Sequence, residues 1–353
     1  MPLSPEHQRG HKLKLSSAGS ERIITDAELC SRPLINSIFC HEGALEPAIA
    51  SMAGLLHDPT SSFTTLHADA NLLVLEQRCG HATYRWLCRR PPGECLGQDN
   101  PQAAADLQTL LVETLLRLGP DRMVATARPQ TRHGIPLATF DRSLLLPEYH
   151  VAMVAALGLC TRGLGRMLCL GVGGGALCMH LRERYPACML VGVERDERAI
   201  LLAQRYFGLR VGSRLQLHAT CAADYLRRRR RRARHFDAIF LDASAPTADA
   251  DAMCAPPPSL RRAAVIRQLR DALGEGGVLA VNALGATRGL RALRAQLGAA
   301  FDVVHAIGCG EGNVVLVACA AQRSRVTAGV ARLTPARRRA WLRACATLEL
   351  SVS

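Results

Sequence analysis

From Pro147 to Ala318, short apolar runs alternate with stretches whose apolar residues recur at helical spacing. Met167–Leu170, Met189–Val193, Leu215–His218, Phe236–Asp242 and Val278–Asn282 have the length and the apolar character of buried strands. Between them lie helical stretches. Leu177, Leu181 and Tyr185 mark the first, and Glu197–Phe207, capped by Asp196, is the second. A third spans Ala222 to about Arg232, a fourth runs from a Ser259 cap to Leu273, and a fifth runs from a Thr287 cap through Leu297. Phe301–Ile307 and Asn313–Ala318, split by Gly-Cys-Gly-Glu-Gly, form a closing β-hairpin, and Thr334-Pro335 opens a last, basic helix. Alternation of this kind predicts an α/β, doubly wound Rossmann-like sheet of parallel strands, here with a terminal hairpin.

Upstream the rhythm differs. Leu72–Glu76 and Ala82–Leu87 are two strands joined by a turn near Gly80, while Leu107, Leu110, Leu111, Leu115 and Leu118 give Ala103–Leu118 a helical stripe. Arg122–Ala127 and Leu144–Leu146 add short strands, and the first 20 or so residues are too polar to build a core. The pattern divides the chain into a poorly defined, partly disordered region over 1–59, a small β-rich domain with a helical insert over 60–145, a Rossmann-like domain over 146–322 and a basic C-terminal helix over 323–353. The small domain is expected to act as a lid or a partner-binding unit.

The chemistry concentrates where the first long strand ends. Gly171, Gly173, Gly174 and Gly175 follow it without room for bulky side chains, and the next strand closes on an acid, Glu194, about 20 residues on. Glycines let such a turn bend sharply and let a ligand approach bare backbone. The acid is placed to accept hydrogen bonds from two ribose hydroxyls. A strand, glycine turn, helix and strand with that acid points to nucleoside binding, although Gly171-x-Gly173-x-x-Ala176 also fits a dinucleotide fingerprint. Without a lysine in the glycine cluster the loop does not match a phosphate-cradling Walker motif.

Composition narrows the partners. The formal charge of +14 favours an acidic partner, either nucleic acid or an acidic protein face, with Arg227–Arg232 and Arg337–Arg339 as the basic clusters. None of the 14 cysteines forms a Cys-x-x-Cys pair, so no metal site is expected, and buried free thiols point to a reducing compartment. No signal-peptide segment and no apolar run of membrane-spanning length is present, so the expected location is cytoplasmic, with the nucleus as the alternative.

Several segments together carry a family resemblance: Pro147-Glu-Tyr-His with Met153, Leu170-Gly-Val-Gly-Gly-Gly-Ala-Leu, Val193-Glu-Arg-Asp, Phe236-Asp-Ala-Ile-Phe-Leu-Asp and Cys254-Ala-Pro-Pro-Pro. Over about residues 60–320 the chain resembles the spermidine-synthase-like methyltransferases. Within them it is most similar to the carboxy-terminal domain of the methyltransferase-like proteins that methylate translation elongation factor 1-alpha. The resemblance implies S-adenosyl-L-methionine as cofactor and a protein amine, at an amino terminus or a lysine, as acceptor. Gly171, Gly173, Gly174 and Gly175 would lie against the methionine part and ribose, and Glu194 would bind the ribose hydroxyls. Asp224 would stand in for an adenine contact or stabilise its helix start. Asp242 would hold or deprotonate the incoming amine, and Asn282 would orient it. Tyr149 and His150 would pack their helix or line the acceptor entrance. Polyamine synthases of the same fold place an aspartate where this chain has Ala176, and an acid-rich loop where it has Asp242-Ala-Ser-Ala-Pro. The similar methyltransferases carry Asp-Gly where this chain has Cys221-Ala222, and Asp-x-Asp where it has Asp242-Ala-Ser244. Aminopropyl transfer to a polyamine is one alternative, and a catalytically degenerate fold serving as a basic interaction module is another.

Overall fold

The computed structural model describes residues 13–17, 20–24, 55, 61–80, 82–90, 111–118, 131–132, 135–136, 142, 145–161, 163–229, 234–245, 253–309 and 312–319. The expected helix from Thr334, the strand at Arg122–Ala127, Arg230–Arg232 and Arg337–Arg339 lie outside the described residues. Two short hairpins stand apart from the main sheets: β1 (Leu13–Ser17) with β2 (Ser20–Ile24), and β7 (Thr131–Arg132) with β8 (Ile135–Pro136). The first of them falls partly within the stretch expected to lack structure.

The larger sheet has seven strands. They are β9 (Arg166–Leu170), β10 (Met189–Glu194), β11 (Leu215–Ala219), β12 (Phe236–Leu241), β13 (Leu273–Leu284), β14 (Val303–Gly308) and β15 (Asn313–Cys319). Their spatial order is β11-β10-β9-β12-β13-β15-β14. The first five are mutually parallel, and β15 runs antiparallel to both β13 and β14. The order reverses between β9 and β12, and in such sheets ligands settle beyond the strand carboxyl ends at that reversal. β12 is buried along its whole length, as a strand covered on both faces must be.

Helices α1 (Glu148–Ala155), α2 (Ala176–Arg184), α3 (Glu197–Tyr206), α4 (Ala222–Arg228), α5 (Ala263–Ala272) and α6 (Thr287–Gly298) cover this sheet. Asp196 caps α3 as its position predicts, its side chain accepting from the Arg198 N–H. The other two predicted caps are displaced. Arg262 precedes α5, with Ser259 in a separate short 3-10 turn, and Thr287 is the first residue of α6, not its cap.

The smaller sheet has the order β3-β4-β5-β6, built from β3 (Ser62–Ala68), β4 (Leu72–Cys79), β5 (Ala82–Arg89) and β6 (Leu111–Arg117), all antiparallel. The helix expected over Ala103–Leu118 is therefore a strand from Leu111 onward. Its leucines satisfy both periods, and pairing with β5 settles the matter. Leu145 and Leu146 belong to no strand, contrary to expectation. Alternation along β4 and β5 buries both faces of this sheet. Leu72, Val74, Leu87 and Leu116 join the core of the large sheet, and Leu73, Leu75, Trp86, Cys88 and Leu115 form a second cluster. Each fully buried leucine contributes about 2 kcal/mol, so the first face attaches the small sheet firmly to the large one. Polar contacts add to this: Arg85 donates to the Tyr206 carbonyl at 2.6 Å, and the Tyr206 hydroxyl donates to the Leu66 carbonyl at 3.1 Å.

Candidate functional site

The ends of β9, β10 and β12 lie side by side. The Gly171 N–H donates to the Val193 carbonyl at 2.8 Å, and the Asp242 N–H donates to the Leu170 carbonyl at 2.8 Å. The glycine turn thus leaves β9 flanked by Glu194 on one side and Asp242 on the other. Gly171 has φ +92°, a conformation L side chains avoid, and a Cβ there would stand 2.0 Å from the Asp242 carbonyl oxygen. At Gly173 and Gly174 a Cβ would strike Thr114, and at Gly175 it would strike Leu209. The bare backbone expected to face a ligand is in those directions pressed against the protein itself.

Glu194 turns back over the loop. Its Oε2 accepts from the N–H groups of Val172 at 2.9 Å and Gly173 at 3.2 Å, and its Oε1 accepts from Asp196 N–H at 3.0 Å. The Gly174 N–H donates to Thr114 Oγ1 at 2.7 Å. Three successive loop amides are thereby taken up by a carboxylate and a hydroxyl of the protein. Thr114, on β6, carried no signal in the sequence, because nothing local ties it to a loop 60 residues away.

Beside it, Arg89 on β5 donates through Nε to Glu113 at 2.5 Å and through Nη1 to Asp196 at 3.0 Å. Burial pushes the Glu113 carboxyl up; Arg89 pulls it back, the carboxylates of Glu194 and Asp196 add to the rise, and the net shift is upward. Burial also raises Asp196, but its hydrogen bonds from Arg89 and Arg198 outweigh that and hold it below the usual carboxylate range. Arg89 itself is raised: burial would lower it, and the two acids more than compensate.

On the other flank a second chain of polar groups runs through the carboxyl ends of β12 and β13. His150 of α1 places Nε2 2.8 Å from Asp242 Oδ2, and Asn282 Nδ2 donates to Asp242 Oδ1 at 2.9 Å. Asn313 Nδ2 donates to Asn282 Oδ1 at 2.8 Å, which fixes the orientation of the Asn282 amide. The His150 ring is buried, and its Nδ1 has no hydrogen-bond partner. A carboxylate cannot donate, so the proton of this contact sits on Nε2. Asp242 and Asn282, predicted together, are in direct contact. His150 makes a polar contact where packing was one expectation, and Tyr149 stacks on it with ring centroids 4.4 Å apart.

Asp224 lies in the first turn of α4, more than a third exposed, with its carboxylate 2.8 Å from Arg227. That is the arrangement of a helix-start acid paired on the surface. Nearby, the Thr220 N–H donates to the Glu194 carbonyl at 2.9 Å, tying the end of β11 to the end of β10. Among the described residues, no cluster of three His, Cys, Asp or Glu side chains could hold a metal, and no helix is long and apolar enough to cross a membrane.

No family model matches the chain. It is similar to the eEF1A lysine and N-terminal methyltransferase of Bos taurus, 27% identical over 176 residues, which is 47% of this chain and 25% of that protein. A shorter stretch of 78 residues is 33% identical to the polyamine aminopropyltransferase of Vibrio vulnificus, covering 22% of this chain and 26% of that one. Among solved structures, human Methyltransferase-like protein 13 in complex with SAH matches with a TM-score of 0.47 and 23% identity, over 55% of this chain and 91% of that one. The chain thus spans about a quarter of the length of the curated relatives it matches. In sequence, the chain is similar to an eEF1A lysine and N-terminal methyltransferase over 47% of its length and, over a shorter stretch, to a polyamine aminopropyltransferase.

Proposed function

We propose that the chain is an S-adenosyl-L-methionine-dependent methyltransferase acting on a protein amine. The observation that carries this is the state of the glycine loop. In a dinucleotide or phosphate site, loop amides are left to the anionic phosphates. Here the amides of Val172, Gly173 and Gly174 are satisfied by Glu194 and Thr114, and a carboxylate occupies the approach a phosphate would need. An acceptor-rich seat suits ribose hydroxyls, which donate, and a sulfonium, which is cationic. The residues therefore fit S-adenosyl-L-methionine in chemical type. Glu194 would hold the ribose, with Gly171–Gly175 beside it. Asp224, engaged with Arg227, is proposed only for the rim of the adenine side.

The bound cofactor supplies a methyl group already activated by its sulfonium. What remains for the chain is to position a neutral amine in line with that methyl. Asp242 is half-buried, holds one donor on each oxygen and keeps further lone pairs. An incoming ammonium can donate to it and leave its proton there or pass it to solvent. Asn282, locked by Asn313, fixes the carboxylate plane. The named activity of the bovine relative makes elongation factor 1-alpha the acceptor to try first, and the cytoplasm, where translation factors work, the compartment. Residues 60–145 and 146–322 would together form the enzyme, with the basic clusters, Arg227–Arg232 among them, available to an acidic or RNA partner.

The match to a polyamine aminopropyltransferase favours a second reading, transfer of an aminopropyl group. Ala176, buried at the start of α2, stands against it, because the polyamine synthases it resembles carry an acid there. Incubating the chain with labelled S-adenosyl-L-methionine and a cell extract, followed by mass spectrometry of labelled protein, tests methyl transfer. Incubation with decarboxylated S-adenosyl-L-methionine and putrescine tests the rival, since spermidine would form only under aminopropyl transfer.

A further inference from the structure

We infer that strands β5 and β6 of the small sheet are a working part of the cofactor seat, with Thr114 and Arg89 as positioning residues for the glycine loop. This rests on the loop being the S-adenosyl-L-methionine seat. The contacts form a closed ring. Gly174 N–H donates to Thr114 Oγ1 at 2.7 Å, and Thr114 is covalently joined to Glu113. Glu113 pairs with Arg89 at 2.5 Å, and Arg89 pairs with Asp196 at 3.0 Å. Asp196 N–H donates to Glu194 Oε1 at 3.0 Å, and Glu194 Oε2 accepts from Val172 and Gly173, which returns the ring to the loop. Every link is a charge-assisted pair, a backbone donor or a covalent bond, and the ion-paired side chains are 12–13% exposed.

The fit is steric as well as polar. A Cβ at Gly174 would come within 2.8 Å of Thr114 Cγ2, and one at Gly173 within 3.2 Å of the Glu113 carbonyl oxygen. The small sheet therefore leaves little room for a side chain at these positions. Thr114 also donates its hydroxyl proton to the Glu113 carbonyl at 2.6 Å, which leaves its oxygen lone pairs directed to Gly174. The arrangement differs from a lid. A lid closes over a finished site, whereas here the loop's own amide is completed by a residue from the other sheet. Removing that acceptor frees the loop to take other conformations, and the cofactor must then supply the ordering on binding.

The experiment is calorimetric titration of the full chain with S-adenosylhomocysteine, comparing wild type, Thr114→Val, Thr114→Ser and Arg89→Met, with thermal melts of each. Thr114→Val keeps the shape and deletes the acceptor; Thr114→Ser keeps the acceptor. The expected result is about tenfold weaker binding for Thr114→Val, equal to roughly 1.4 kcal/mol, with Thr114→Ser within about threefold of wild type. Arg89→Met is expected to weaken binding as Thr114→Val does. Thr114→Val binding as tightly as wild type while folded would overturn the inference and leave the methyltransferase reading standing. Equal losses in Thr114→Val and Thr114→Ser that follow their melting temperatures would overturn it too, by showing a packing role alone. No binding by folded wild type would overturn the methyltransferase reading itself, and this inference with it.

Discussion

His150 Nε2 lies 2.8 Å from Asp242 Oδ2, a contact across 92 residues that joins the helix before the large sheet to the end of its central strand β12. It gives one carboxylate oxygen a fixed partner, while Asn282 donates to the other. A group held on both oxygens is limited in its rotamers, and that is the positioning the proposed displacement of a methyl group by an amine would need from the protein.

Replacing His150 separates this role from cofactor binding. His150→Ala should lower kcat about tenfold to a hundredfold while the affinity for S-adenosylhomocysteine stays within about twofold. His150→Gln, whose amide can still donate, should recover part of the loss. Steady-state kinetics beside calorimetry checks this; a matching fall in affinity would place His150 in general packing instead.

Gly171 tests the tightness of the strand ends. With φ +92° and a Cβ position 2.0 Å from the Asp242 carbonyl oxygen, Gly171→Ala must displace β12 or the loop. A loss of about 3 kcal/mol or more is expected, on the scale of strained backbone combined with a steric clash. Urea denaturation reads it directly. Gly163→Ala, whose Cβ would meet nothing within 4 Å, serves as the neutral control.

Much of this was legible in the sequence, and the remainder was not, for a physical reason. The order of strands and helices from β9 to β15 followed from period alone, because the buried strands are short apolar runs between segments of helical period. The adjacency of Glu194 and the glycine loop followed from the strand, turn, helix and strand unit. What the sequence concealed were partners set by the packing of two sheets. Leu111–Arg117 carries leucines that suit helix and strand equally, and only its pairing with Tyr84–Arg89 decides between them. Thr114, Glu113 and Arg89 acquire meaning only once β6 lies against Gly173 and Gly174. His150 was visible as a polar residue beside Tyr149, but its partner was not.

Acid should loosen the joint between the sheets. Asp196 is held below the usual carboxylate range despite burial, because Arg89 and Arg198 donate to it. A depressed carboxyl contributes stability that is present above its unfolded value, 3.8, and is lost as pH falls through the lower folded value. Stability measured by urea melts should therefore fall on acidification below about pH 4. Asp196→Asn should show a shallower fall than wild type over the same interval, and an identical slope would remove Asp196 from the account.

Alkali acts on the thiols. Burial pushes Cys88 up to about 12, with Glu113 adding to it, and burial likewise pushes Cys319 up to about 12. Both should be protonated and slow toward thiol reagents in the native protein at neutral pH, since the thiolate is the nucleophile. Their stabilising contribution is complete below the unfolded thiol value of about 8.5 and is lost as pH rises toward 12. Mass spectrometry after brief alkylation, with and without denaturant, checks the first statement: modification of either thiol only in denaturant is the expected result.

The central claim is that Glu194 and the glycine loop seat a sulfonium nucleoside. Equilibrium binding of isotopically labelled S-adenosyl-L-methionine to wild type and to Glu194→Ala tests it most directly. Saturable binding by wild type, weakened about tenfold or more in a folded Glu194→Ala, is the predicted result. No binding by wild type, or equal binding by the two, would contradict it.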